Sequence, residues 1–260
     1  LYIYNYFIKN KKNNLVITNS LYEANDVYNR LLNYTNKVLF FPMDDFITSE
    51  VTDISPEFVI DRLTTLNKLL GSGKYIVVTN LMGILRYLPN TKLYKNKIID
   101  INKDMDIDRD DFINKLFDLG YEKKPVVSRT GEMAIRGYVI DIFPIEFDNP
   151  IRIEFWGDTI DSIKYFDLED QISNTSIDSV KIYPYTEFLI DGKIEDNIIR
   201  KQKYLLNYSD SVSGLWDYVS DSVIFYYDYN QIINSYSLLR ENILEYDSEL
   251  DDDIKTKRMK

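Results

Sequence analysis

Residues 131–166 read GEMAIRGYVIDIFPIEFDNPIRIEFWGDTIDSIKYF, and their periodicity decides the fold of the region around them. In Pro150-Ile151-Arg152-Ile153-Glu154-Phe155-Trp156, apolar and polar residues alternate until the last position. Ile151, Ile153 and Phe155 therefore face one side of a strand, and Arg152, Glu154 and Trp156 the other. The first side predicts a core. The second is polar, yet it ends in the largest side chain a protein has. The whole stretch predicts consecutive antiparallel strands, with Gly157-Asp158 as a two-residue hairpin turn. Arg152 and Trp156 lie roughly 13 Å apart along one face at ~3.3 Å per residue. Exposed Arg and Trp dominate binding hot spots, and that span suits a protein partner better than a small ligand. The plain alternatives are a solvated arginine and a tryptophan packed under a neighbouring loop.

The chain has 260 residues, 45% of them apolar, enough for two or three small domains with cores of their own. No apolar run reaches the ~18 residues expected of a membrane span. The opening LYIYNYFIKNKKNN places its charges after its apolar part, the reverse of a signal peptide. A first residue of Leu and the ending DDDIKTKRMK suggest a piece of a longer protein. Cys and His are both absent. That removes disulfide scaffolds, Cys/His zinc sites, cysteine nucleophiles and His-based triads, and it fits a cytoplasmic protein. A net charge of −11 argues against nucleic acid as a direct partner, because such binding needs several Lys/Arg-to-phosphate contacts.

The first part of the chain alternates strand and helix signals. Leu15-Val16-Ile17-Thr18 predicts a buried strand, and Ser20 with Glu23 a capping box opening a helix over 21–34. Residues 37–41 predict a strand stopped by Pro42. Ser55-Pro56-Glu57 predicts a helix with Ser as N-cap, and Val59, Leu63, Leu66 and Leu70 carry it at helical spacing. A strand follows over 75–79 and a short helix over 81–87. This order implies parallel pairing. From Ile98 the pattern changes: Asp108 caps a helix over 109–119 closed by Gly120, the antiparallel strands follow, and a strand over 177–183 ends at Pro184. In the last third, 194–206 reads as helical, 223–227 as a strand, Asp228 as the cap of a helix over 229–246, and 247–253 as a solvated acidic end.

Four motifs imitate chemistry. Gly71-Ser72-Gly73-Lys74 resembles the end of a phosphate-binding loop, but it follows a helix and precedes a strand. It reads as a helix-terminating turn in which glycine supplies positive φ. Phe41-Pro42-Met43-Asp44-Asp45 suggests a magnesium carboxylate pair, yet no P-loop partner exists, and a surface turn is the better reading. Asp104-x-Asp106-x-Asp108 mimics the start of a calcium loop but has Arg109 where glycine is needed and Lys115 where glutamate belongs. The tyrosines around Tyr226-Tyr227 read as packing and surface filler, since base stacking needs a cationic groove nearby.

Several motifs together carry a family resemblance: Gly131-Glu132-x-Ala134-x-Arg136-Gly137, Asp141-Ile142-Phe143-Pro144, Ile151-Arg152-Ile153-Glu154-Phe155, Asp161-Ser162-Ile163 and Gln171-x-Ser173. In this order they resemble domain 2 of the bacterial transcription-repair coupling factors (the Mfd family), a domain shared with the excision-repair protein UvrB. Ser55-Pro56-Glu57, Leu88-Pro89 and Leu119-Gly120-Tyr121-Glu122 extend the resemblance upstream. It implies an α/β fold: a degenerate RecA/helicase-like parallel-sheet domain 1A over 1–97, an inserted α+β antiparallel-sheet domain 2 over 98–183, and a domain 1B over 184–260. It also implies a module without catalysis that binds UvrA through Arg136, Arg152 and Trp156 and recruits it to stalled RNA polymerase. ATP, magnesium, DNA and polymerase contacts would belong to translocase parts outside these residues, and a carboxy-terminal domain would mask the UvrA surface. The chain departs from the family at Trp156, where relatives usually have Phe, at Tyr138, often a second Gly, and at Ile172, often Arg. A UvrB-like ATPase or helicase fragment and a direct DNA-binding module are the rival readings.

Overall fold

The computed structural model describes residues 1–45, 55–192, 205–209 and 211–249, with side chains described as far as residue 243. The chain divides into two compact units, one made of Leu1–Leu88 with Leu206–Lys260, the other of Pro89–Leu205.

The first unit is built on a four-stranded, wholly parallel sheet in the order Ser222–Tyr226, Asn13–Thr18, Ile76–Asn80, Val38–Phe41. The three strands inside residues 1–88 are buried along their whole length, as expected when helices cover a parallel sheet. Leu21–Leu32 is one such helix, burying Ala24, Val27 and Leu31 at helical spacing. Its start is set by the anticipated capping box: Ser20 accepts from the Glu23 amide, and the Glu23 carboxylate accepts from the Ser20 amide. The helix Pro56–Leu69 has Ser55 at its N-cap and Pro56 in its first turn as expected, but Ser55 makes no side-chain cap hydrogen bond; the fixed φ of Pro56 suits that first turn. A correction falls on the turn after that helix. Neither Gly71 nor Gly73 has positive φ; the chain leaves through a right-handed Leu70. A Cβ at Gly73 would lie 2.5 Å from the Tyr75 hydroxyl, so a side chain there would displace the end of that ring. Asp228 caps the 21-residue helix Tyr229–Glu249 by accepting from the Gln231 amide. The helix expected over 194–206 lies almost wholly outside the described residues, and so does most of the acidic end.

The second unit carries a six-stranded sheet in the order Ser173–Ser176, Thr159–Phe166, Ile151–Trp156, Val139–Ile142, Glu132–Arg136, Glu122–Lys123. The pairing is antiparallel except for the last, two-residue edge strand, which runs parallel to its neighbour. Asp108 accepts from the Asp111 amide at 2.7 Å and starts the helix Arg109–Asp118. Gly120, at φ +89, ends that segment as anticipated. Phe112 and Leu116 of the helix pack with Ile140, Ile151, Ile153, Phe155, Ile160 and Ile163 of the sheet in one core. Burying each such side chain contributes about 1.5–3 kcal/mol. Between Ile160 and Ser162 the register shifts by one residue, a bulge that leaves Asp161 exposed. It lets Ile160 and Ile163, three apart, both enter the core, where strict alternation would turn one of them out.

Candidate functional site: the outer face of the antiparallel sheet

The strand Ile151–Trp156 follows its predicted alternation, with Ile151, Ile153 and Phe155 buried. Cross-strand register places Ala134, Asp141, Arg152 and Lys164 in one row, and Arg136, Val139, Glu154 and Ser162 in the next. Trp156 ends its strand opposite Thr159 at the Gly157-Asp158 hairpin, where Gly157 takes φ +62.

Arg136 and Arg152 meet at a single carboxylate. Asp141 is fully buried and accepts from Arg152 Nε at 2.7 Å and Nη2 at 3.0 Å, and from Nη2 of Arg136. The two-pronged Arg152 contact is the planar geometry a guanidinium offers a carboxylate. Arg152 also donates through Nη1 to the Gln171 carbonyl at 3.1 Å and the Ser173 hydroxyl at 3.3 Å, and it lies 4.7 Å from the centre of the Phe166 ring. The Asp141 hydrogen bonds hold its guanidinium above the ordinary value against the opposing effect of burial. In the neighbouring row, hydrogen bonds from Lys164 and then Ser162 hold the Glu154 carboxyl below its ordinary value.

Sequence alternation placed Arg152 and Trp156 on a common outward side and the resemblance added Arg136; cross-strand register puts all three on one face, but they are not equally available. Trp156 is 83% exposed. The Arg136 side chain is 46% exposed and that of Arg152 only 16%. The plain alternative of a solvated Arg152 is set aside, because its donors are turned onto Asp141, the Gln171 carbonyl and the Ser173 hydroxyl. The outer face is not simply polar either, because Val127, Ala134, Phe143 and Phe166 form a small second core on it. Asp141 is the residue that alternation alone passed over. Its signal was a lone acid in Val139-Ile140-Asp141-Ile142 directly across from Arg152. One carboxylate between two guanidinium groups leaves a local excess of positive charge on a chain whose total is −11.

The other motifs resolve as structure. Asp104, Asp106 and Asp108 serve the turn and the helix cap, with Asp106 accepting from the Thr159 hydroxyl at 2.5 Å. No group of three or more acidic residues that could hold a metal exists among the described residues. No described helix is long and apolar enough to cross a membrane. A nucleotide is tested against the place where a parallel α/β unit offers phosphate its best cradle, the helix N-terminus after a strand. Here that loop is Thr18-Asn19-Ser20, without glycine. The Leu21 amide donates to both oxygens of Asp45, at 2.8 and 3.0 Å, and the Asn19 and Ser20 amides donate to Glu23. Asn80 adds a donor to Asp45 at 2.8 Å. The chain's own carboxylates fill the cradle, so these residues do not fit a phosphate group.

Comparison with known proteins agrees with the antiparallel unit. Residues 99–188 match the family described as the UvrB interaction domain. The chain is 36% identical over 190 residues to the transcription-repair-coupling factor of Staphylococcus haemolyticus, a match covering 72% of this chain and 16% of that protein. It is 33% identical over 205 residues to that of Staphylococcus epidermidis (78% and 18%), and 35% over 182 residues to one from Staphylococcus aureus (69% and 16%). The chain thus spans less than a fifth of the length of these relatives. Residues 99–188 thus match the UvrB interaction domain family, and the chain belongs with the transcription-repair-coupling factors over the part of them that it matches.

Proposed function

We propose that this chain is a non-catalytic docking module that recruits UvrA in transcription-coupled nucleotide excision repair in the cytoplasm. In this reading the contacts with RNA polymerase and DNA, and ATP-driven translocation, belong to the rest of a longer parent protein. The observation that carries it is Trp156, 83% exposed at a strand end on the same outer face as the half-exposed Arg136. Large aromatics and arginines of this kind anchor protein interfaces. Arg152 enters as a positioning residue that fixes Asp141, and through it Arg136. The first unit is read as a degenerate RecA-like domain, supported by its parallel sheet and by the Asp45 carboxylate seated at the Leu21 amide. The likeness to transcription-repair-coupling factors gives the partner its name.

The test is a titration of the chain with UvrA, alongside Arg136→Ala and Trp156→Ala. Loss of Trp156 is expected to weaken binding by at least ~2 kcal/mol, and loss of Arg136 by about 1. Wild-type strength in both folded variants sinks the site, and no binding by the wild type sinks the function. Micromolar ATP affinity, or tight salt-sensitive duplex binding, points instead to an ATPase fragment or a DNA-binding module.

A further inference from the structure

We infer that Ser222–Tyr226 is an interior strand in the parent protein, and that a further parallel strand of the parent polypeptide occupies its open edge. The inference concerns the first unit and stands apart from UvrA docking, sharing with it only the longer parent. Ser222–Tyr226 ends the four-stranded parallel sheet beside Asn13–Thr18. Edge strands are protected against further pairing by charge, proline, shortness or cover. The other edges of the two large sheets follow that rule. Val38–Phe41 is buried along its length, Glu122–Lys123 is a charged two-residue strand running into Lys124-Pro125, and Ser173–Ser176 is Ser-Asn-Thr-Ser. Ser222-Val223-Ile224-Phe225-Tyr226-Tyr227 has neither charge nor proline, the composition of a strand with a neighbour on each side.

Ile224 pairs with Leu15 and Tyr226 with Ile17, and both partners are buried, yet Ile224 and Tyr226 are 42% and 47% exposed. The Tyr227 amide donates to the Ile17 carbonyl. Alternation along the strand then turns the amides and carbonyls of Ile224 and Tyr226 to the open edge. The helix Tyr229–Glu249 supplies the second half of the argument. Among its described side chains Ile232 is the one fully buried, whereas Tyr229, Ile233, Tyr236 and Ile243 form an exposed row at spacings of four, three and seven. The Tyr226 and Tyr229 rings meet edge to face, 5.2 Å between centres, and join that row to the strand. Parallel strands are linked by a crossover, usually a helix that covers both of them. This helix has a row to spare for the second strand. Residues 250–260, LDDDIKTKRMK, hold no apolar run, and the match spans only 16–18% of the relatives' length, so the strand is drawn from the remainder of the parent. A second copy suits the edge less well: two-fold symmetry pairs edges antiparallel, and five residues bury too little for a stable dimer.

The experiment compares this chain with the full-length parent by residue-resolved amide exchange over 222–227, with sedimentation of the chain over a roughly hundredfold concentration range. The Ile224 and Tyr226 amides are expected to exchange near the unprotected rate in the chain, which sediments as a monomer, and at least about a hundredfold more slowly in the parent. Ile224→Pro removes an amide that only an added strand would use. It is expected to change Val223 and Phe225 exchange by less than about threefold in the chain and to speed it at least about tenfold in the parent. Fast exchange of Ile224 and Tyr226 in the parent overturns the inference. So does an Ile224→Pro change that the parent tolerates as well as the chain does. Slowing of these amides in the chain alone, rising with concentration, overturns it in favour of a second copy.

Discussion

Replacing Asp141 by Asn tests whether the outer face is organised around one carboxylate. Asp141 is fully buried and takes hydrogen bonds from both Arg136 and Arg152. The amide keeps the shape but turns two N–H donors toward groups that are themselves donors. Breaking a buried ion pair by removing one partner costs about 3–5 kcal/mol, and breaking an exposed one about 0–1. Arg152, 16% exposed, lies toward the first limit; Arg136, 46% exposed, lies toward the second. The expected loss is therefore about 2–4 kcal/mol in the second unit. Native-state amide exchange of the strand Ile151–Trp156 reads it directly, as a roughly thirty- to thousandfold acceleration, with the strand Asn13–Thr18 of the first unit as the unchanged internal control. Combining Asp141→Asn with Arg152→Leu is expected to cost less than the sum of the two single changes by at least ~1 kcal/mol. A loss below ~1 kcal/mol for Asp141→Asn, or additivity within ~0.5, refutes the shared-carboxylate reasoning.

Three further outcomes are expected. Gly131→Ala should destabilise more than Gly137→Ala: both have positive φ, but a Cβ at Gly131 comes 2.1 Å from the Tyr185 ring and one at Gly137 meets nothing; equal losses in thermal melts count against this. Asp45→Ala should speed exchange of the Leu21 amide and cost about 1 kcal/mol, as loss of a helix N-terminal acceptor does, and an unchanged amide removes the reading of Asp45 as a resident anion. Burial alone would raise Glu132, but the Ser128 amide and hydroxyl and the Arg129 amide and charge outweigh it, so Glu132, like Glu154, lies below the ordinary 4.5. Their contribution is present above about pH 4.5 and is lost as pH falls through the lowered values, so Glu132→Gln should flatten the acid limb of a stability–pH curve.

What was legible in the sequence was local or periodic. Ser20 with Glu23, Asp108 with Gly120, and Gly157-Asp158 each specify their own turn from a few neighbouring residues, and the inward set Ile151, Ile153, Phe155 follows from period two. The order of the parallel strands was not legible, because Asn13–Thr18 pairs with Ser222–Tyr226 across two hundred residues and no local signal names that partner. The state of Arg152 was hidden for a related reason. Alternation tells which side a residue takes but not whether a loop returns over that side, and here Phe166, Gln171 and Ser173 come back to cover it. Ser55 shows the converse limit: a residue suited to capping sits at the cap position, and its hydroxyl makes no cap bond.

The split make-up of the first unit has a consequence for biosynthesis. Its sheet is completed by Ser222–Tyr226, which pairs beside Asn13–Thr18, whereas Pro89–Leu205 is contiguous. At about 5–20 residues per second, a ribosome finishes the contiguous unit before it has made the last strand of the other. The contiguous unit is then able to fold while one edge of Asn13–Thr18 is still unpaired. During that interval the buried strand Asn-Asn-Leu-Val-Ile-Thr offers an open edge to any extended chain nearby. A nascent chain truncated between residues 205 and 222 should therefore hold a folded second unit and be prone to aggregate through the first.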